Sequence, residues 1–147
     1  MNLSKARFRA IRDRVGLSQK ALANLLGNTV DVVKKWENPR YFPPPQDACE
    51  LLSDMLEQHE GAVDTALDII EQQIEAHDGN MPKEVSLLYY RSQAHYDLYG
   101  RDAADYSVVN ARAREVGALL QAEGFDVAYV YPDDNETLFQ ALANTRS

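Results

Sequence analysis

The first chemistry that the sequence suggests is anion binding by a short basic segment. Lys20, Lys34, Lys35 and Arg40 lie within LSQKALANLLGNTVDVVKKWENPR, in which apolar residues recur at helical spacing. Ammonium and guanidinium groups suit phosphate oxygens, and in a DNA groove they can also donate to guanine. The segment therefore indicates a polyanion partner, although the whole chain is acidic.

The formal net charge of -8 is divided unevenly along the 147 residues. Residues 1–50 hold 9 Lys and Arg against 5 Asp and Glu, a net charge of +4. Residues 51–147 hold 6 against 18, a net charge of -12. Binding to a polyanion depends on the field of one face more than on the total charge. The acidic total therefore does not argue against binding by the basic part.

Composition predicts a soluble globular protein of one ordinary domain or two small ones, since 45% of the residues are hydrophobic and 26% are charged. No apolar run reaches the roughly 18 residues of a membrane span, and MNLSKARFRA lacks the apolar core of a secretory signal. We expect a cytoplasmic location and no membrane partner. The single cysteine, Cys49, is expected to be a buried thiol.

The N-terminal pattern predicts three short helices across tight turns. The first runs from Ser4 to Gly16, the second opens at Ser18 and stops at Gly27, and the third opens at Thr29. The positions expected to face inward are Leu22, Leu25 and Leu26 in the second helix and Val32, Val33 and Trp36 in the third. The positions of the third helix expected to face outward are Val30, Asp31, Lys34 and Lys35.

A helical apolar pattern resumes at Gln46 and continues to about Asp78. One continuous helix and a break into two at Gly61 both fit this pattern, so the sequence leaves the choice open. The turn-forming stretch HDGNMP, at residues 77–82, is the predicted domain boundary.

The C-terminal part reads as a β-α-β unit. Strands are predicted over Val85–Tyr90 and Asp126–Tyr131, with a helix over Ser107–Glu123 between them and a final helix over Asp134–Ala143. A crossover of this length favours parallel strands. Because two strands do not form a stable sheet alone, the sheet is expected to pair with a partner chain or to pack on the long helix. Dimerisation is the preferred solution.

The stretch LSQKALANLLGNTVDVVKKWEN resembles the lambda-repressor-like, or XRE, family of DNA-binding domains. The shared features are a hydrophobic-Ser-Gln start, Leu-Ala two residues on, Gly at the turn, a capping Thr, a Val-Val pair and a closing Trp-Glu. Small Ala23 and flexible Gly27 also meet the steric needs of two helices joined by a tight turn. The resemblance covers Leu3 to about Leu52 and implies an all-α helix-turn-helix bundle.

The resemblance also implies roles for individual residues. The implied base-reading residues are Val30, Asp31, Lys34 and Lys35. The implied DNA-backbone contacts are Gln19, Lys20, Thr29, Asn38 and Arg40, with the arginines of the first helix. Arg12 and Glu37 match a structural ion pair of the family. Pro39 stands where the family usually has Gly, so the path of Arg40 and Tyr41 past the third helix is left open.

The C-terminal half offers many tyrosines, and a core or dimer-interface role is favoured for them over a ligand pocket or base stacking. His59, His77 and His95 have no other His or Cys at metal-ligand spacing, and His95-Tyr-Asp97 is a weak constellation. Asp133 and Asp134 fit the start of a final helix better than a ligand site. We therefore predict no catalytic residue, no metal and no cofactor, and we do not expect an enzyme.

These features predict an α+β chain with a lambda-repressor-like helix-turn-helix bundle at residues 1–60, a helical connector and a small β-α-β domain at residues 82–147. LLYY and QAEGFDVAYV in the latter resemble the α/β domain of unknown function in anti-CRISPR-associated-type regulators. The predicted function is a homodimeric bacterial or phage repressor that reads an inverted repeat in double-stranded DNA through the major groove. The alternative is an antitoxin whose acidic half binds a basic toxin while its head represses the operon.

Overall fold

The computed structural model describes residues 2–76 and 84–134, and over these residues the chain is rich in α-helix with one small sheet. The helices are α1 (Lys5–Val15), α2 (Gln19–Leu26), α3 (Val30–Glu37), α4 (Gln46–Ala76), α5 (Gln93–Tyr99) and α6 (Tyr106–Ala122), and the strands are β1 (Glu84–Leu88) and β2 (Asp126–Val130). The chain divides into two compact units, Met1–Gly61 and Ala62–Ser147. The mixed α and β composition agrees with the predicted class.

The three N-terminal helices begin at the predicted residues, and the first two end at the predicted glycines. The side chains of Ser4, Ser18 and Thr29 each accept a hydrogen bond from the backbone N–H three residues on, at 3.1, 3.0 and 3.4 Å. Gly16 and Gly27 end α1 and α2 in the left-handed conformation, with φ of 88° and 67°. A side chain at either position would be strained, so local sequence fixes these boundaries.

The core of the first unit gathers one face of each of its helices. Phe8 of α1 meets Trp36 of α3 edge to face, with ring centroids 6.2 Å apart. The apolar side chains that are at most 1% exposed are Phe8, Val15, Leu22, Ala23, Val33, Ala48, Cys49 and Leu52. The thiol of Cys49 is buried, as predicted.

The prediction that Leu25 is buried was wrong, because its side chain is 59% exposed. Successive helical residues are rotated by about 100°, so Leu22, Leu26 and Ala23 cover an arc of about 100° on α2. Leu25 falls about 60° outside that arc. The small residue Ala23, which is 1% exposed, takes the place in the core that the pattern assigned to a leucine.

The second unit is built on the C-terminal half of α4, which is a single helix through Gly61. Val63, Val116 and Leu120 form the centre of its core. The partly buried residues around them are Ala66, Leu67, Ile70, Val85, Leu87, Phe125 and Val127. The sheet therefore packs on the long helix, which is one of the two arrangements left open by the sequence. The division between the units falls inside α4, ahead of the predicted boundary at residues 77–82.

The two strands are parallel, as predicted, with Glu84 opposite Asp126 and Leu88 opposite Val130. Each strand ends earlier than predicted. Gly117 of α6 leaves room for the ring of Tyr129, which a Cβ at that position would strike. The short helix α5 was not predicted, and the final helix predicted beyond Asp134 lies outside the described residues. No described helix has the length and apolar character needed to cross a membrane.

Two leucines of α2 give a matched test of this core. Leu22→Ala removes a fully buried side chain and should lower the free energy of unfolding by about 2–5 kcal/mol. Leu25→Ala should change it by less than about 0.5 kcal/mol. Urea unfolding followed by the fluorescence of Trp36, which is the single tryptophan and lies in this core, measures both values. Equal losses for the two variants would contradict the arrangement of α2.

Candidate nucleic-acid interface

The outer face of α3 is exposed and carries the cation Lys34. Val33 and Trp36 are buried on its inner face, and Thr29 fixes its N-terminus. Val30, Asp31 and Lys34 are exposed, as their predicted outward positions require. The sequence pattern therefore placed both faces of this helix correctly at these positions.

Lys34 and Lys35 are not equivalent. Lys35 is half-buried, with its Nζ 3.6 Å from Oδ2 of Asp31 and 5.6 Å from the ring centroid of Tyr41. Lys34 is exposed and forms no ion pair within residues 2–76 and 84–134. The Lys34 ammonium is thus available to an external anion, whereas part of the charge of Lys35 is balanced by Asp31.

An ion pair holds α1 against the end of α3. Nε of Arg12 donates to Oε2 of Glu37 at 2.7 Å, and Nη2 donates to Oε1 at 2.8 Å, which is a bidentate arrangement. The side chains are 7% and 4% exposed. The hydrogen bond to Glu37 raises the pKa of Arg12 despite the opposing cost of burial. The structure therefore brings together the two residues that the family resemblance pairs.

Gln19 is linked to the same carboxylate. Its Nε2 donates to Oε1 of Glu37 at 3.2 Å, so one carboxylate bridges α1, α2 and α3. Nη1 of Arg12 also donates to the backbone oxygen of Leu17 at 3.0 Å, which fixes the connection before α2. These bonds orient Gln19 at the surface beside α3.

A surface depression of about 350 Å³ lies at the end of α3, and its lining residues are Arg9, Gln19, Lys34, Glu37, Asn38 and Pro39. Guanidinium, ammonium and amide groups converge there, and all of them can donate to phosphate oxygens. Three of the predicted DNA contacts, Gln19, Lys34 and Asn38, are thus brought to one place, with Arg9 of α1 beside them.

The remaining predicted contacts lie outside the depression. Lys20 and Arg40 are exposed. The Thr29 hydroxyl accepts from the backbone of Val32 as the helix cap, and a hydroxyl that accepts can still donate to an anion. The N–H of Arg40 donates to Oδ1 of Asn38 at 3.0 Å, which orders the segment after α3.

Sequence reasoning missed the role of Lys5, which closes the C-terminus of α3. Asn38 leaves the helix in an extended conformation, with φ of -98°, so no left-handed glycine satisfies the last carbonyls. Nζ of Lys5 donates to the backbone oxygens of Trp36 at 2.8 Å, Lys35 at 3.2 Å and Phe42 at 2.6 Å. A cation at this end also suits the helix dipole. Lys5 thereby satisfies carbonyls at the end of α3 without a left-handed residue there.

In the second unit, Asp133 joins the ends of both strands to α5. Oδ2 of Asp133 accepts from Nη2 of Arg91 at 2.6 Å, and Oδ1 lies 2.7 Å from Nε2 of His95. Because Nδ1 of His95 accepts the N–H of Arg91 at 3.1 Å, Nε2 carries the proton of the neutral ring and donates to Asp133. The bond from His95 lowers the pKa of Asp133. The predicted role of Asp133 at a helix start did not anticipate these bonds.

The tyrosines divide between interior and surface. Tyr90 and Tyr96 are buried, and their rings meet edge to face with centroids 4.7 Å apart. Burial and the hydrogen bond that its hydroxyl donates to Asp102 raise the pKa of Tyr96 to about 12. Tyr129 and Tyr131 are exposed. In the part of the chain that the structure describes, no cluster of three His, Cys, Asp or Glu residues is placed to hold a metal.

Comparison with protein-family models gives no match, and a search of curated proteins gives none either.

Breaking the ion pair of Arg12 and Glu37 should destabilise the first unit strongly. Arg12→Met leaves Glu37 buried without its partner and should cost about 3–5 kcal/mol of unfolding free energy. The double variant Arg12→Met/Glu37→Met should recover part of that loss. Arg14→Met is the matched control, since Arg14 pairs with Glu60 at an exposed site and should cost at most about 1 kcal/mol. Similar losses for the two arginines in urea unfolding would contradict this account.

Acid should weaken the link formed by Asp133. Its pKa is lower in the folded chain than in the unfolded chain, so its stabilisation is present above the unfolded value of about 3.9 and is lost as the pH falls through the folded value. Asp133→Asn should therefore be less stable than the wild type at neutral pH, and the difference should shrink in acid. Urea unfolding followed by tyrosine near-ultraviolet circular dichroism measures it. Asp126→Asn controls for charge, and a pH-independent difference would contradict the prediction.

Proposed function

We propose that the chain is a sequence-specific DNA-binding transcriptional regulator. In this proposal α2 and α3, joined by residues 27–29, are the helix-turn-helix, and α3 is the recognition helix. The observation that carries the proposal is the exposed ammonium of Lys34 on a helix whose inner face and two ends are fixed. A rigid helix with a free basic face is what major-groove readout requires.

The exposed side chains of α3 have the chemistry to distinguish base pairs. The major groove, about 12 Å wide, admits an α-helix and presents a distinct pattern for each base pair. Lys34 can donate to O6 and N7 of guanine, Asp31 can accept from the cytosine amino group, and Val30 can contact a thymine methyl group. Lys35 can also contact a base if its Nζ exchanges the carboxylate of Asp31 for an acceptor on the DNA.

The contacts around α3 would set its position on the DNA backbone. Arg9, Gln19 and Asn38 line the depression at the end of the helix, and Lys20 and Arg40 are further exposed donors of the same unit. Phosphate contacts of this kind supply salt-dependent affinity without carrying sequence information. The acidic second unit would be repelled by DNA, which favours docking through the basic head.

We further propose that two chains bind an inverted repeat as a homodimeric repressor. An eight-residue recognition helix reads few base pairs, so a second head one helical turn away would multiply both affinity and specificity. The sequence suggested a dimer because a two-stranded sheet needs further cover. The sheet packs on α4, so it does not need a strand from a partner chain. Light scattering of the protein with and without the selected duplex tests this part, and one chain per duplex would overturn it.

Selection of bound duplexes from a random library tests DNA recognition directly, and we expect one enriched sequence. Lys34→Ala should weaken binding to that sequence by roughly 5- to 150-fold and relax the preference at one position. Lys20→Ala should instead weaken all duplexes alike and reduce the salt dependence by about one phosphate contact.

Arg14→Ala is the control for this experiment, because Arg14 is a cation of the same unit that is paired with Glu60 away from α3. It should leave sequence preference unchanged. Failure to enrich any sequence, or equal effects of Lys34→Ala and Arg14→Ala, would overturn the proposal.

A further inference from the structure

The second unit contains a groove with an apolar floor and a rim whose charged side chains, among the residues that the structure describes, are all acidic. It has a volume of about 520 Å³ and lies along the C-terminal half of α4, the end of α6 and the residue before β2. The apolar side chains that line it are Leu67, Ile70, Ile74, Leu120 and Phe125. The charged side chains that line it are Asp64, Asp68, Glu71 and Glu123, all of them exposed.

The acidic residues of the rim do not stabilise α4, the helix on which most of them lie. Asp64 and Asp68 are four residues apart on α4, and Asp68 and Glu71 are three apart, so each pair places like charges side by side. Such pairs destabilise a helix by a few tenths of a kcal/mol each. Within residues 2–76 and 84–134, none of the four carboxylates takes part in an ion pair. Cations from outside this set would relieve the repulsion.

We propose that this groove binds a basic amphipathic helix of a partner protein. Apolar side chains of such a helix, spaced at i, i+3 or i+4 and i+7, would enter between Leu67, Ile70 and Ile74. Its lysine or arginine residues would pair with the rim.

The charge of the rim disfavours the other occupants. A symmetric dimer through this surface would set the same acidic rim of each chain against the other, since a two-fold interface repeats one patch. DNA would be repelled for the same reason. An isolated cation would leave the apolar floor uncovered. The proposal does not rest on DNA binding by α3, because the groove belongs to the other unit and can be tested without DNA.

Fluorescence anisotropy with two labelled model peptides tests the proposal on the full-length protein. Each peptide has about two heptads with leucine on one face, and the other face is lysine in one peptide and glutamate in the other. At about 0.15 M ionic strength we expect binding of the lysine peptide alone. Binding of both peptides, or of neither, would overturn the proposal.

Two matched pairs of variants locate the binding. Asp68→Asn/Glu71→Gln changes the rim, and Asp54→Asn/Glu57→Gln makes the same change in charge, at the same spacing, in the N-terminal half of α4. Ile74→Ala shortens the floor, and Ile69→Ala makes the same change at an exposed site outside the groove. The rim and floor variants should each weaken binding at least about fivefold, and their controls less than about twofold.

Circular dichroism of the four variants checks that each retains its fold. Equal losses for the two acidic pairs would mean that only the general negative charge attracts the peptide, which would overturn the groove as the site. Equal affinities for Ile74→Ala and Ile69→Ala would overturn the role of the apolar floor. The effect of Lys34→Ala on DNA selection, whatever it is, does not change the interpretation of the peptide-binding measurements.

Discussion

The first unit depends on the buried pair formed by Arg12 and Glu37. Two charges that are almost out of water cost several kcal/mol each to desolvate, and the cost is offset only by close and complete hydrogen bonding. The fork of Arg12 meets both carboxylate oxygens, its third nitrogen satisfies the backbone of Leu17, and Gln19 adds a donor to the same carboxylate. These directional bonds admit few relative positions of α1, α2 and α3, which nonpolar packing alone would leave less restricted.

This restriction explains how a helix as short as α3 can present its outer side chains in a fixed position. Eight residues form too little helix to be stable alone, so its geometry must come from its neighbours. Thr29 caps one end, Val33 and Trp36 hold the middle, and Glu37 and Lys5 fix the other end. Every residue that holds the helix lies on its inner face or at its ends. Lys34 is consequently left exposed on a support that does not need to rearrange when an anion arrives.

The helix boundaries of the first unit depend on neighbouring residues in the sequence, whereas other features of the unit depend on distant ones. Caps at Ser4 and Ser18 and the glycine at position 27 depend on residues within one turn, and their predicted boundaries agree with the structure. The exposure of Leu25 depends on the arc of α2 that its neighbours cover. Lys5 reaches carbonyls about thirty or more residues away, and no local pattern marks that contact.

The second unit was harder to predict for the same reason. Asp133 contacts Arg91 and His95 across about forty residues, and α5 is held in part by those bonds. The parallel pairing of β1 and β2 was predictable because a helical crossover constrains it, whereas the cover of the sheet by α4 was one of two open choices. The groove residues form no recognisable sequence motif. Apolar residues on α4 recur at helical spacing whether the face that they form is covered by the core or by a partner.

Helix α4 reconciles the two halves of the charge distribution. Its N-terminal half contributes Leu52 to the core of the first unit, and its C-terminal half contributes Val63 to a core beside an acidic groove. One helix can contribute to both cores because only its apolar face is buried, and the charged residues on its outer face can differ between its two halves. In the two proposals taken together, the sign of charge directs polyanions to the first unit and basic helices to the second, without any shared residue. The net charge of -8 sums the whole chain and therefore describes neither surface.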